Sequence, residues 1–337
     1  MSANYWGSSQ RQHWQFTKDE LASMRSKLEA DHADLVRLFP LPQNRHLYIY
    51  FNSRKYSDDY TLLLNTKSSL NPELIRLSKR LTIRQQAMAT AQVYLKRFYS
   101  RVEIRRTNPY LVVTTATYLA CKIEESPQHI RLVLGEAKQL WQDFIGNEVS
   151  KIGECEFWLI SEMNSRLIVH QPYRSLLALR NELLLVDEDV QLAKSIINDH
   201  YMTDLPLLCA PHIVALVAVL LALVLRQGSV GPGQAASSTA AAGLAAAQTA
   251  LTQAQARVGQ GMIGLPEVSA TDSKEKQQEA RISRIQHFAA WLAESGVDIP
   301  AMVDATQEII SFYECYEQYN DKQTREQINR LIKARNL

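Results

Sequence analysis

The sequence predicts an all-α protein made of two helical bundles, and two long apolar segments are the main reason. Residues 109–125 form the first segment, residues 211–226 form the second, and each begins with proline. Proline fits the first turn of a helix because the N–H that it lacks would have no helical partner there. A helix that is apolar on nearly every side belongs at the centre of a bundle. Two such helices in 337 residues predict two bundles, and the lack of sustained period-two alternation predicts no sheet.

Composition and charge exclude several classes of protein. The net charge is only +2, so the chain has no strong electrostatic attraction to nucleic acid. The four cysteines are scattered over predicted helices, which is typical of reduced core thiols in a nuclear or cytosolic protein. They are Cys121, Cys155, Cys209 and Cys315. The N-terminus lacks the basic start and the apolar run of a signal peptide.

The second apolar segment is too short to cross a membrane. Its uninterrupted apolar part, residues 213–225, has 13 residues, whereas a membrane-spanning helix needs about 18 to 20. His212 precedes this part and Arg226 follows it, so neither end extends it. We therefore expect a buried core helix in a soluble protein.

The N-terminal region carries aromatic residues and then a helix signal. Thr17 and Glu20 form a capping-box pattern, in which each side chain bonds the backbone N–H of the other residue. Apolar residues at helical spacing then predict one amphipathic helix: Leu21, Met24, Leu28 and Leu35. Pro40 and Pro42 end this helix. We assign residues 1–42 to the region.

Apolar stripes at helical spacing predict the remaining helices. In the first bundle they lie near residues 84–99, 130–141 and 149–163. In the second bundle, after a linker at Gln171-Pro172, they lie near residues 192–201, 285–292 and 302–313. We place the first bundle in residues 43–168, the second in 169–320, and a charged C-terminal helix or tail in 321–337.

Two stretches interrupt this pattern. Residues 227–271 are rich in Ala, Gly, Gln and Ser and cannot bury enough apolar surface to offset the entropy of ordering, so we expect a low-complexity insertion. Within it, we expect residues 240–257 to form a fluctuating helix because alanine has a high helix propensity. Residues 52–73 are polar, contain tyrosines and have no clear period.

The sequence contains none of the usual motifs of an enzyme or a metal site. A Gly-rich phosphate loop, a nucleophile elbow, His-Glu-x-x-His and paired Cys-x-x-Cys spacings are absent. Asp199 and His200 are adjacent, but neighbours on a helix point about 100° apart, so they do not indicate a catalytic pair. We therefore expect no catalytic residue, no metal and no cofactor.

Two charged residues stand out on apolar helices. Lys122 lies near the end of the first apolar helix, where it either extends to water or meets a partner. Glu156 shares a helical face with Ile152, Leu159 and Ile160, and burying a lone carboxylate is costly. Spacing alone leaves both an exposed position and an interface position open for Glu156.

At these residues the chain resembles the cyclin family, and within it the cyclin C subfamily. Residues 119–125 are similar to the family's Leu-Ala-x-Lys-x-Glu-Glu signature. Longer blocks resemble cyclin C, namely residues 4–9, 84–99, 154–157, 167–174 and 198–205. Residues 128–133 and 291–295 resemble the filamentous-fungal form. Outside residues 52–73 and 227–271, the similarity covers nearly the whole chain.

The resemblance implies a fold and a set of contacts. The family fold is two tandem five-helix cyclin boxes, here preceded by the N-terminal amphipathic helix. In cyclins, a lysine of the third helix and a glutamate of the fifth bind backbone groups of a kinase beside its mobile C-helix. Lys122 and Glu156 match those positions by motif, and Glu125 of the same signature is counted with them.

Two features leave alternatives open. The aromatic residues Tyr5, Trp6 and Trp14 either cap the first bundle or anchor the kinase, since exposed aromatic residues often carry binding energy. Residues 52–73 interrupt what is one continuous helix in relatives, which is compatible with an insertion or with translated intron sequence. This interruption affects the first cyclin-box helix and any substrate-docking patch on it.

The resemblance implies a non-catalytic regulatory subunit that binds and activates the Mediator-associated cyclin-dependent kinase. The expected partners are that kinase, other Mediator kinase-module subunits and the RNA polymerase II holoenzyme, without direct contact to nucleic acid or membrane. The expected location is the nucleus, and the expected role is activation and repression of RNA polymerase II transcription. A general transcription factor of the TFIIB type is one alternative, but it would need a zinc ribbon and a basic face, which the cysteines and net charge do not supply. An enzyme on an unusual helical scaffold is another.

Overall fold

The computed structural model describes residues 4–52, 73–225 and 273–335. Over these ranges the chain forms sixteen α-helices, two short 3₁₀ helices (Tyr5–Gly7 and Ile104–Arg106) and no strand. The N-terminal region holds α1 (Ser9–His13), α2 (Lys18–Asp31) and α3 (Ala33–Leu38). The first bundle holds α4 (Asn44–Asn52), α5 (Glu73–Arg80), α6 (Gln85–Tyr99), α7 (Pro109–Ile123), α8 (Ile130–Leu140) and α9 (Val149–Glu162). The second bundle holds α10 (Pro172–Glu182), α11 (Asp187–His200), α12 (Leu205–Leu208), α13 (Pro211–Leu225), α14 (Ser273–Glu294) and α15 (Ile299–Glu317), and α16 (Asp321–Arg335) follows.

α7 occupies the centre of the first bundle, as its apolar sequence predicts. Asn108 caps the helix by accepting hydrogen bonds from the backbone N–H groups of Tyr110 and Leu111, and Pro109 fills the first turn. Three buried threonines donate to carbonyl groups four residues earlier, so each hydroxyl has an acceptor: Thr114, Thr115 and Thr117. The helix packs against α6, α8 and α9.

α13 holds the same position in the second bundle. Every residue from 213 to 225 is buried, and the helix packs against α10, α11, α14 and α15. Burying each Leu or Val side chain contributes about 1.5–3 kcal/mol, so apolar packing fixes this helix. Within the described ranges, no helix combines the length and apolarity that crossing a membrane requires.

The inward-facing stripes agree with the sequence pattern. On α6 the predicted core positions are all buried, namely Ala87, Ala91, Leu95 and Phe98. On and just after α9 they are also buried, namely Ile152, Cys155, Leu159 and Met163. The buried side chains form one large core around α7 and another around α13. The all-α fold with two bundles is therefore confirmed.

The N-terminal helix differs from its prediction in one respect. The capping box is present, because Thr17 accepts from the N–H of Glu20 and Glu20 accepts from the N–H of Thr17. The predicted single helix is instead two, since α2 ends and α3 begins around His32. Only Leu21 of α2 and no residue of α3 is buried, so core packing does not hold the two parts in one continuous helix.

Glu73 belongs to the first bundle and not to the interruption in which the sequence pattern placed it. It begins α5, is 1% exposed, and accepts hydrogen bonds from Tyr50, Arg76 and Trp141. The guanidinium of Arg325 on α16 lies 3.3 Å from the same carboxylate. A buried carboxylate needs such partners, and sequence periodicity does not reveal them. Residues 53–72, and the low-complexity stretch at 227–271, lie outside the described residues.

The C-terminal helix α16 returns to the first bundle. Its apolar face carries three buried residues: Ile328, Leu331 and Ile332. The first and third of these belong to the core around α7, and Tyr110 donates to the side chain of Asn329 at 2.8 Å. The predicted charged helix at the C-terminus is therefore present, but it begins at Asp321 and is a packing element rather than a solvated tail.

The N-terminal region ties the two bundles together. Arg97 of α6 is 1% exposed and donates to the carbonyl groups of Arg166 and Ile168 in the connection between the bundles. Arg25 of α2 binds both carboxylate oxygens of Asp204, which follows α11, at 2.6 and 2.9 Å. Bidentate Arg–carboxylate pairs hold a specific geometry. Arg25 also donates to the hydroxyl of Tyr48 on α4 at 2.9 Å, so this side chain joins α2 to both bundles.

Candidate functional site

The structure brings Lys122 and Glu156 together on one surface of the first bundle. Lys122 lies in the last turn of α7, where a cation is favoured by the helix dipole. Its ammonium forms an ion pair with the carboxylate of Glu156 on α9 and lies 4.7 Å from the ring centroid of Tyr118. The side chain of Lys122 is 39% exposed and that of Glu156 is 13% exposed. The two residues that the cyclin resemblance selects are therefore direct neighbours at the protein surface.

An exposed aromatic residue, which sequence reasoning missed, follows this pair's Glu156 in the chain. Phe157 follows Glu156 on α9 and is 77% exposed, and Ile123, next to Lys122, is 37% exposed. Phe157 is out of phase with the core stripe of α9, so its position in the helical period was the available signal. We name Lys122, Ile123, Glu125, Glu156 and Phe157 the Lys122 surface. It combines one positive and two negative charges with apolar area, which suits binding to another protein.

Glu125 terminates α7 in an unusual conformation. The backbone of Glu125 has φ 51°, in the left-handed region. Its N–H donates to the carbonyl of Lys122, and the N–H of Ser126 donates to the carbonyl of Cys121. This pattern is a Schellman motif, in which glycine usually occupies the left-handed position. The motif leaves the Glu125 side chain exposed, three residues after Lys122 in the chain.

The neighbouring Glu124 is only partly exposed and is held by a hydrogen bond to the first bundle. Thr90 of α6 donates to its carboxylate at 2.5 Å. Gln171, in the connection between the bundles, donates to the hydroxyl of Thr90 at 2.7 Å. The two adjacent acids of the signature therefore differ, since Glu124 links α7 to α6 and Glu125 faces solvent.

The structure separates the three N-terminal aromatic residues. Trp6 is 55% exposed and its ring centroid lies 5.3 Å from that of His212, while Tyr5 is half-buried and burial raises its pKa to about 12. Trp14 is 0% exposed and belongs to the core around α7, with the guanidinium of Arg101 4.6 Å from its ring centroid. Trp14 therefore caps the first bundle and has no surface with which to contact a partner.

Trp6 borders an open groove between the bundles. Other lining residues are Ile168, Gln171, Leu177 and His212, and we name these five residues the Trp6 groove. Ile168 and Leu177 are more than half exposed. Gln171 connects the groove through Thr90 to the end of α7. The groove is therefore adjacent to the end of the helix that carries Lys122.

Asp199 and His200, which are adjacent in the sequence, are both buried, as are two of the four cysteines. Asp199 accepts a hydrogen bond from Tyr313 at 3.0 Å, and His200 is enclosed so that burial lowers its pKa to about 3. All four cysteines are free thiols, and burial raises the pKa of Cys121 to about 11. Among the described residues, no group of His, Cys, Asp and Glu side chains has the arrangement of a metal site.

Comparisons with known proteins agree with this arrangement. The family model described as the N-terminal domain of cyclins matches residues 43–166. A relative from Gibberella moniliformis, named RNA polymerase II holoenzyme cyclin-like subunit, is 66% identical over 337 residues, which cover 100% of this chain and 99% of that protein. The protein of the same name from Neurospora crassa is 56% identical and covers 100% and 99% of the two chains. The corresponding Aspergillus clavatus protein is 48% identical with the same coverage.

A solved structure supports the fold alone. A chain in the CAK complex from Chaetomium thermophilum bound to ATP-gamma-S superposes with a TM-score of 0.51 at 19% identity, covering 97% of this chain and 88% of that one. The chain matches the fungal relatives over its full length, matches the model of the N-terminal cyclin domain and folds into two helical bundles. It therefore belongs to the cyclin family, as a fungal cyclin C-type subunit.

Proposed function

We propose that the protein is a non-catalytic regulatory subunit that binds and activates a cyclin-dependent kinase acting in RNA polymerase II transcription. The single observation that carries this proposal is the pairing of Lys122 and Glu156 at the protein surface, with exposed Phe157 next to Glu156 in the chain. The names of the fungal relatives, which are RNA polymerase II holoenzyme cyclin-like subunits, support the connection to transcription.

The proposed contact uses hydrogen bonds to the kinase backbone. The ammonium of Lys122 donates to backbone carbonyl groups beside the kinase C-helix, and the carboxylate of Glu156 accepts from backbone N–H groups there. Charged hydrogen bonds are about twice as strong as neutral ones, which makes this pair suited to hold a mobile segment. Phe157 supplies apolar area that the kinase covers, since aromatic residues often dominate interface energy.

Activation follows from a shift between kinase conformations. The subunit binds the kinase more tightly when the C-helix is turned inward, and that conformation completes the Lys–Glu ion pair that orients the ATP phosphates. A ligand shifts an equilibrium only by its differential affinity for the two states. Moving a kinase from about 1% to about 99% active needs a preference of about 10⁴-fold. The rigid packing of α7 and α9 supplies a preformed surface for this selection.

We propose that the cyclin-dependent kinase in question is the Mediator-associated kinase. The proposed partners are that kinase, other Mediator kinase-module subunits and the RNA polymerase II holoenzyme, and the proposed location is the nucleus. The Trp6 groove, adjacent to the end of α7, extends the area available to these proteins, with Tyr5 beside it. The net charge of +2 gives no support to direct binding of promoter DNA of the TFIIB kind.

Binding to the purified Mediator-associated kinase of the same fungus tests the proposal. We expect the full-length protein to bind and activate the kinase, and to have no kinase activity alone. Glu156→Arg reverses a charge that is 13% exposed and should weaken binding by about 100-fold. Glu154→Arg is the matched control, because Glu154 lies on the same helix, has a 65% exposed side chain and pairs with exposed Lys151 at 3.2 Å.

Two outcomes would contradict the proposal at different levels. Equal kinase binding by Glu156→Arg and wild type would remove the contact role of the Lys122 surface. Recovery of the wild-type protein from nuclear extract without any kinase or Mediator subunit would overturn the regulatory function itself.

A further inference from the structure

A cavity lies between α2 and the first bundle, outside the Lys122 surface and the Trp6 groove. Its volume is about 330 Å³, near the lower end of small-molecule sites, which range from about 300 to 1,000 Å³. Its walls come from α2, α4, the end of α6 and the loop that leads to α7. It is therefore near the first turn of α7, whereas Lys122 is in the last turn, about 20 Å away at 1.5 Å per residue.

The inner wall of the cavity is apolar and firmly held. Leu47, Phe51, Leu95 and Val102 line it, and each is at most 6% exposed. All four belong to the core around α7, so their positions are fixed by close packing. The outer wall is formed by Leu28 and its neighbours on α2. The cavity is thus a preformed space with one exposed side.

A buried ion pair closes one end of the cavity. Glu103 and Arg105 line it and are 6% and 7% exposed. Oε1 of Glu103 accepts from both the backbone N–H and the guanidinium of Arg105, and Arg105 also donates to the carbonyl of Phe39 at 2.8 Å. Oε2 of Glu103 has neither a hydrogen bond nor an ion pair with any residue in the described part of the chain. Glu103 as a whole is 6% exposed, but Oε2 is not one of the fully enclosed side-chain atoms that lack a partner, so this oxygen is accessible from the cavity that Glu103 lines.

Both arginines that line the cavity already have carboxylate partners, Glu103 for Arg105 and Asp204 for Arg25. Arg25 is occupied, since it binds both oxygens of Asp204 and the hydroxyl of Tyr48 at 2.6 to 2.9 Å. Glu29, at the rim, is exposed and adds a second negative charge. A ligand that donates hydrogen bonds or carries positive charge therefore matches the cavity better than an anion.

We propose that the cavity binds a small organic cation, with an apolar ring against Leu47 and Leu95 and an ammonium that donates to Oε2 of Glu103. The apolar part replaces water in the preformed space, which is the main source of affinity in such sites. The ammonium supplies a donor to Oε2, while Oε1 of the same carboxylate keeps its pair with Arg105, and it makes a charge-assisted hydrogen bond.

Two probes of similar shape and opposite charge test this assignment. Full-length protein with labelled Leu and Val methyl groups is titrated by NMR with 2-phenylethylamine and, separately, with 3-phenylpropionate. We expect saturable shifts of cavity methyl groups with the amine and none with the carboxylate. Glu103→Gln should weaken amine binding at least tenfold, because it removes the negative charge.

Leu28→Trp is the second variant and should fill the cavity mouth and abolish binding of the amine. Leu38→Trp on α3 is its matched control, because Leu38 is 64% exposed and does not line the cavity. Equal binding of both probes, no binding of the amine at about 10 mM, or full binding to Leu28→Trp would each overturn the proposal. If Glu103→Gln does not fold, the pair of probes and Leu28→Trp still decide the outcome.

Discussion

Lys122 and Glu156 form an ion pair with each other in the free subunit, although they belong to different helices of the first bundle. Because Lys122 is 39% exposed, water screens the pair, and such pairs contribute about 0–1 kcal/mol. We expect Glu156→Gln to change the free energy of unfolding by less than about 1 kcal/mol, measured by urea denaturation. A loss several times larger would mean that Glu156 supports the fold rather than a binding surface.

Phe157 should matter for binding and not for stability. It is 77% exposed, and surface substitutions usually change stability by no more than about 0.5 kcal/mol. Phe157→Ala should weaken kinase binding by about tenfold or more, because buried aromatic residues dominate interfaces. Isothermal titration with the purified kinase measures the change, and Leu38→Ala, at another exposed site, is the control. An unchanged dissociation constant would place Phe157 outside the interface.

Glu125→Gly separates backbone strain from side-chain function. Glu125 has φ 51°, a conformation that costs a non-glycine residue about 1–2 kcal/mol. Glycine at this position should raise the free energy of unfolding by about 1 kcal/mol while weakening kinase binding, since the carboxylate is lost. Ser165→Gly, at φ 56°, is the control and should raise stability without affecting binding. Unchanged binding by Glu125→Gly would exclude Glu125 as a contact.

The two tryptophans of the N-terminal region should behave in opposite ways. Trp14 is 0% exposed, so Trp14→Ala should destabilise the protein by about 3–5 kcal/mol through the cavity it leaves. Trp6 is 55% exposed, so Trp6→Ala should leave stability within about 0.5 kcal/mol. Thermal denaturation followed by circular dichroism compares the two. Similar losses of stability would contradict the separation of the three aromatic residues.

Lys96 makes stability depend on pH. It is 0% exposed, its ammonium lies 3.2 Å from the ring centroid of Tyr48, and it has no hydrogen-bond partner in the described residues. Burial lowers the pKa of Lys96 to about 7 from its ordinary value of 10.5. Between these values the unfolded chain binds a proton that the folded chain does not, so stability rises from about pH 7 to about pH 10.

Lys96→Met should remove this rise and increase stability below pH 7 by about 1–3 kcal/mol, since it eliminates a buried donor without a partner. Urea denaturation at about pH 6 and about pH 9 measures the difference. Lys79→Met, at an exposed lysine of α5, is the control and should leave the pH profile unchanged. A wild-type profile that is flat across this range would contradict the assignment.

Local patterns predicted most of the fold. The capping box at Thr17 and Glu20 and the apolar helices beginning at Pro109 and Pro211 follow from chemistry within a few residues, and the structure confirms them. The resemblance selected Lys122 and Glu156, and the packing of α7 against α9 is what places them in contact. The distance between the Lys122 and Glu156 side chains cannot be derived from the residue spacing within either helix.

Features that depend on distant segments were not predictable in the same way. Buried Glu73 meets Tyr50 of α4, Trp141 just after α8 and Arg325 of α16, which come from three distant parts of the chain. The sequence makes Trp14 as suitable for an interface as Trp6, and only the tertiary structure shows that Trp14 is part of the core around α7. Such contacts arise from tertiary packing, which overrides local propensity.

The position of α16 has a consequence for synthesis of the protein. Ile328 and Ile332 belong to the core around α7, whose other helices lie more than 150 residues earlier in the chain. A nascent chain on the ribosome therefore carries an incomplete first bundle until both residues have been translated and have left the exit tunnel. During that interval the second bundle is translated while apolar surface of the first remains uncovered, a situation in which large proteins engage chaperones.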